Sequence, residues 1–112
     1  MIEVKIIVDR QKQTAYLRVK GHAGQAEPGK DIICAAASIL SFTVAQIVKD
    51  MYDGRRLKKK PVLRMENGDT TIICRPKEKY AANIYQTFAV AQTGYKLLAY
   101  NYPQYVCIVE KA

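Results

Sequence analysis

With 112 residues and 12.6 kDa, the chain is sized for one domain, expected over residues 1–112, and leaves no length for a second core. Its 49% hydrophobic and 25% charged residues exclude a disordered or fibrous chain, and a core of this size needs neither disulfides nor metal. A net charge of +8 and a pI near 9.5 point either to acidic partners such as RNA, the ribosome or anionic lipid, or to a solvated basic face that only aids solubility.

Residues 2–8 place Val4, Ile6 and Val8 at period two with Glu3 and Lys5 between them, the alternation of a strand. The same charges keep the N-terminus from serving as the apolar centre of a signal peptide. After polar residues 9–13, residues 14–20 alternate again, with Leu17 and Val19 opposite Tyr16 and Arg18, so the two strands are predicted to pair as an antiparallel hairpin. Gly21 ends it. The stretch 21–30 holds Gly21, Gly24, Pro28 and Gly29 together with the single histidine, His22. So many breakers predict a loop, longer than the usual connection.

Ile33, Ala36, Leu40, Val44, Ile47 and Met51 then recur at helical spacing and predict a helix over 32–51, closed by Asp53 and Gly54. Ser38, Ser41, Thr43 and Gln46 interrupt its apolar run, and the expectation is a packed helix, not a membrane span. In residues 55–60, RRLKKK, the plain reading is a solvated loop. The alternative is a weak contact of Arg55, Arg56, Lys58, Lys59 and Lys60 with RNA or the ribosome. No aromatic residue interleaves the run, which leaves base stacking without a platform in the local sequence.

Residues 62–65 and 70–74 flank Asn67-Gly68, a strong hairpin signal. Over 77–100, Tyr80, Ile84, Phe88, Ala91, Tyr95 and Leu98 share one face and predict a second helix, weakened mildly by Gly94. Residues 105–109 read as a last strand. The order ββαββαβ predicts an α+β two-layer sandwich, a mainly antiparallel sheet with both helices on one face.

The chemistry concentrates in 21–40, GHAGQAEPGKDIICAAASIL, where His22 lies twelve positions before Cys34. A cysteine near a helix start faces free N–H groups and the positive end of the macrodipole, which favour the thiolate. Cysteine proteolysis requires that nucleophile, an imidazole as base and then acid, and donors for an oxyanion, which the helix start would supply. Asp31 reads either as the N-cap or as the residue orienting His22, and Ser38 either as a hydrogen-bonding neighbour of the sulfur or as a packing residue. The plain alternative is a small buried cysteine and a loop histidine. Three cysteines without a CxxC pair do not read as a disulfide framework, and a reducing, cytoplasmic setting is expected. Cys74 and Cys107, inside strands, read as inert core residues. His22 and the three cysteines are formally four zinc ligands, but no two are spaced as a chelating pair, so neither metal nor cofactor is expected.

Gly21-His22, Gly29, Asp31-Ile32-Ile33-Cys34-Ala35 and Ser38 together resemble the signature of the ribosomal-processing cysteine proteases, the Prp family of small bacterial proteins. The resemblance implies a catalytic dyad of His22 and Cys34, a homodimer, and removal of the N-terminal extension of a large-subunit ribosomal protein. Relatives in phages process capsid or scaffold proteins, an alternative substrate class. The family's loop before the cysteine is a mobile cover, which would make Gly21 and Gly29 its hinges. A non-catalytic RNA- or ribosome-binding module stands as the reading from another functional class.

Overall fold

The period-two residues of the first segments form β1 (Ile2–Asp9) and β2 (Thr14–Lys20), paired antiparallel from Glu3 opposite Lys20 to Asp9 opposite Thr14. The structure, a computed structural model, describes residues 1–23 and 30–109; the side chains of Lys30 and Asp31 also lie outside the description. Next come α1 (Lys30–Asp53), β3 (Val62–Glu66) and β4 (Asp69–Cys74), then a short 3-10 turn, α2 (Ala81–Asn101) and β5 (Val106–Ile108). The element order and the α+β class are those expected. The five strands lie in the order β3-β4-β2-β1-β5, all antiparallel except β5, which runs parallel to β1. In the Asn67-Gly68 turn only the glycine enters the left-handed region, with φ 76°.

Register sorts the side chains into two faces. Leu63, Ile72, Leu17 and Ile6 are aligned across four strands on the face that both helices cover, and Leu17 and Ile72 there are fully buried. Each such side chain contributes roughly 1.5–3 kcal/mol of hydrophobic stabilisation. One residue along, Val62, Ile73, Tyr16 and Ile7 form the matching row on the helix-free face. Cys107 belongs to that outer face, since Val106 and Ile108 take the core side; it is half-buried and not the core residue expected from its strand.

The buried stripe of α1 is Ile33, Ala37, Ser41, Val44, Val48 and Met51, rotated from the predicted one. Ser41 displaces Leu40 from its centre because the Ser41 hydroxyl donates to the Ser38 carbonyl at 2.9 Å, which removes the cost of burying it. Leu40 instead packs at the seam with α2. There Gly94 earns its place: a Cβ would stand 2.8 Å from a Leu40 methyl, so the glycine that weakens an isolated helix lets two helices meet. In α2 the predicted residues Ile84, Phe88, Ala91 and Tyr95 are all buried. The Tyr95 hydroxyl reaches across and donates to the Ala37 carbonyl at 2.9 Å, tying α2 to the first half of α1.

Ile32–Asp53 is long and apolar enough to cross a membrane by length and composition, a test that its serines and threonines do not make it fail. One stripe of the helix is core, and Ile32, Ile39 and Phe42 face outward exposed.

Two buried groups make the fold sensitive to alkali. Burial pushes the Cys74 thiol up to about 12 from 9.0. The Tyr95 phenol is raised above 10.0 by burial, opposed by its hydrogen bond with Ser41. Both are neutral when folded and hold their protons more tightly than in the unfolded chain, so the stability they supply is intact below the unfolded values and is lost as pH climbs through the folded ones. Urea midpoints should stay level between about pH 6 and 8 and fall above about pH 9; a Cys74→Ala variant, weaker throughout, should fall less steeply.

Candidate active site

Strand β2 ends at Lys20, opposite Asp69 at the start of β4. One residue further Gly21 turns with φ 98°, and its N–H donates to the Gly68 carbonyl at 2.9 Å. A Cβ at Gly21 would run into the Met1 carbonyl oxygen, so this position accepts glycine alone. The Met1 ammonium in turn donates to the His22 carbonyl at 2.6 Å. Two separate segments, the N-terminus and the β3–β4 turn, thus hold the backbone at one exposed histidine.

The imidazole lies over the β3–β4 turn. An added Cβ at Gly68 would stand 2.5 Å from Nε2 and 2.8 Å from Cε1 of His22. Sequence reasoning treated Asn67-Gly68 only as a hairpin turn, and no local signal tells that the turn supports a ring from another strand; that follows from β2 pairing with β4. From the other side α1 presents Cys34, half-buried, on a cavity of about 220 Å³ that His22, Ser38, Phe42, Gly68 and Asp69 also line. Histidine and thiol, named together from the sequence, therefore share one cleft. A larger cleft of about 710 Å³ lies between α1 and α2 and is lined by neither cysteine nor histidine.

The helix begins at Lys30, one residue ahead of Asp31, which makes Asp31 its second residue where the sequence reading had the N-cap; its side chain lies outside the described residues. Cys34 is accordingly the fifth residue, past the first turn in which it was expected. Of the two expected hinges, Gly29 lies outside the described residues and Gly21 is the tightly tied glycine described above. Ser38, one turn after Cys34, lines the same cavity, and its carbonyl accepts the Ser41 hydroxyl.

Asp69 also lines the cavity, but its carboxylate is engaged elsewhere. Both of its oxygens accept from Arg18 at 3.4 Å, and Arg64 stands 3.9 Å away. That hydrogen bond, with the charge behind it, raises the Arg18 guanidinium above its ordinary value. Among the described residues, no three His, Cys, Asp or Glu side chains converge to hold a metal ion.

The model of the family described as cysteine protease Prp matches residues 1–107, a span that includes His22, Cys34 and the turn beneath the ring. The chain belongs to the Prp family of cysteine proteases. It is 33% identical over 98 residues to the ribosomal processing cysteine protease Prp of Mycoplasma genitalium, covering 87% of this chain and 89% of the relative. Its fold is similar to that of the essential ribosomal processing protease Prp from S. aureus with a covalently linked product peptide, with a TM-score of 0.74 at 20% identity over 99% of this chain and 100% of the other. The same S. aureus protease with a substrate peptide gives a TM-score of 0.71 at 18% identity over the same shares.

Within this Prp chain, Gly68→Ala should separate positioning from folding. His22 is exposed, so its ring can yield to the added methyl and the cost to stability is small, on the order of 1 kcal/mol including the strain of a left-handed alanine. A ring displaced by about 1 Å should lower turnover by up to about 100-fold. Peptide-cleavage kinetics measured beside a urea titration check it.

Proposed function

We propose that this chain is a site-specific cysteine endopeptidase that removes the N-terminal extension of a large-subunit ribosomal protein, with Cys34 as nucleophile and His22 as its partner. The observation that carries the reading is the shared cavity, in which one exposed imidazole and one half-buried thiol face the same space. His22 takes the thiol proton as the Cys34 sulfur attacks the scissile carbonyl, then gives that proton to the departing amine. Water releases the acyl group and restores the thiol. Cys74, buried and held protonated, takes no part.

The substrate follows from the relatives: ribosomal processing is what the Mycoplasma genitalium and S. aureus proteins are named for. We place the reaction in the cytoplasm, in a single domain, where free thiols such as Cys34, Cys74 and Cys107 persist. In that setting the cations of residues 55–60 make a weak contact with the ribosomal particle. The working unit is a homodimer. Supporting this is the apolar cleft between α1 and α2, edged by Ile39 and Val90, which are 60% and 61% exposed; a second copy of the same surface would cover them.

Coexpression with the candidate ribosomal protein, read by mass spectrometry, should show the shortened N-terminus with the wild-type chain and only the full-length form with Cys34→Ser or His22→Ala, a loss of at least about 1,000-fold. Cleavage retained by either variant would remove the dyad. For the dimer, sedimentation of an Ile39→Glu, Val90→Glu double variant should show monomers where the wild type shows dimers, and a wild type that sediments as a monomer overturns it.

A further inference from the structure

The chain's excess charge is gathered at one pole. Residues 55–60 carry five cations, and residues 75–79 carry three against a single acid, Glu78, so these eleven residues hold +7 of the net +8. Although separate in sequence, they are joined in space. The Lys58 N–H donates to the Arg75 carbonyl at 2.8 Å and the Lys77 N–H to the Arg56 carbonyl at 2.9 Å. Leu57 bridges Pro76, and both are buried while their charged neighbours are exposed. Two apolar pins thus fix two basic segments together with the cations turned outward, and Lys58 is steadied further by the Gln13 side chain. This is a built surface.

Three features identify what it suits. Among the described residues the ion pairs engage Arg18, Lys49 and Arg64, which leaves the eight cations of the pole outside any ion pair, although Arg56 and Lys79 lie over the Tyr80 ring. The pole contains a cleft of about 600 Å³ in which Arg55, Lys58, Lys60 and Lys77 surround Tyr52. Tyr52 is 40% exposed, and the one acid there, Asp53, is taken by Lys49 at 2.9 Å. An aromatic face within a cationic cleft matches a polynucleotide strand, phosphates on the cations and a base on the ring. The carboxylates of an acidic peptide would use the cations alone, whereas a nucleotide strand uses the cations and the ring together. The local sequence showed no aromatic among the cations; the end of α1 supplies one from outside the run. The pole is remote from the chemistry, since α1 rises about 28 Å between Cys34 and Asp53.

We propose that this pole is a binding surface for single-stranded RNA, by which the protease holds its ribosomal substrate's RNA surroundings while the opposite end is left free to cut. The proposal deepens the ribosomal contact described above and rests on it for the choice of RNA, but not on the dyad.

The test measures fluorescence anisotropy of a labelled mixed-sequence single-stranded RNA 12-mer with the full chain. Expected is binding whose logarithm falls with log salt at about 0.7 per phosphate engaged, a slope of roughly −2 to −3. A Lys58→Glu, Lys60→Glu double variant should bind at least about tenfold more weakly with a shallower slope. Tyr52→Ala should lose about fivefold or more with the slope unchanged. Cys34→Ser should bind as the wild type, and the pole variants should cleave a free peptide at the wild-type rate. If that peptide is not cut by the wild type, the proteolytic reading fails while the RNA result stands. The proposal is overturned if RNA does not bind, if Lys5→Glu with Arg64→Glu on the sheet weakens binding as much, or if polyglutamate or anionic phosphatidylglycerol vesicles compete as well as RNA does.

Discussion

One backbone hydrogen bond, from the Gly21 N–H to the Gly68 carbonyl, decides where the imidazole stands. It prolongs the pairing of β2 with β4 one step beyond the sheet, and it requires glycine at both ends for different reasons. At Gly21 a left-handed φ and the nearby Met1 carbonyl exclude any side chain; at Gly68 the space a side chain would fill belongs to the ring of His22. Neither glycine touches the sulfur. They act by fixing the backbone beneath the histidine and leaving the space that its ring occupies, which gives a residue on an exposed loop a defined position.

The thiol reaches the same point by a different route. Cys34 is placed by a long helix whose own position is fixed at two contacts with α2, the Gly94–Leu40 approach and the Tyr95–Ala37 hydrogen bond. Ala37 and Ser38 lie next to one another, so the second contact is made at the wall of the active-site cavity. Packing energy in the helix layer and hydrogen bonding at the sheet's end therefore converge on a cleft that neither layer would form alone. Charge is arranged along the same axis: the thiol is at one end of α1 and the cations of the basic pole at the other.

Much of this was legible in the sequence. Period-two alternation gave β1 and β2, and the helical spacing of Ile84, Phe88, Ala91 and Tyr95 gave α2, because burial on one face writes its period into the chain. The motif brought His22 and Cys34 together before any geometry was known. What escaped were facts that depend on a partner remote in sequence. Ser41 looked like an interruption of an apolar face, because its hydroxyl's satisfaction by the Ser38 carbonyl is invisible to a hydropathy pattern. Cys107 looked like core until the register of β5 turned it outward. Gly94 looked like a weakness, and Gly68 like a turn and nothing else. The aromatic beside the basic run was missed because Tyr52 belongs to the preceding helix and meets the cations of 75–79 only through the pairing of Leu57 with Pro76.

Strand β5 lies beside β1, so β1 receives its second neighbour from residues 106–108. Ile2, which lines the active-site cavity, donates its N–H to the Tyr105 carbonyl at 2.8 Å, and Val109 returns a hydrogen bond to Val4. Contacts so distant along the chain form late. Residues 106–109 line none of the active-site cavity, yet they close the sheet edge on which Ile2 stands. Loosening that last strand would therefore loosen one wall of the cleft from outside it.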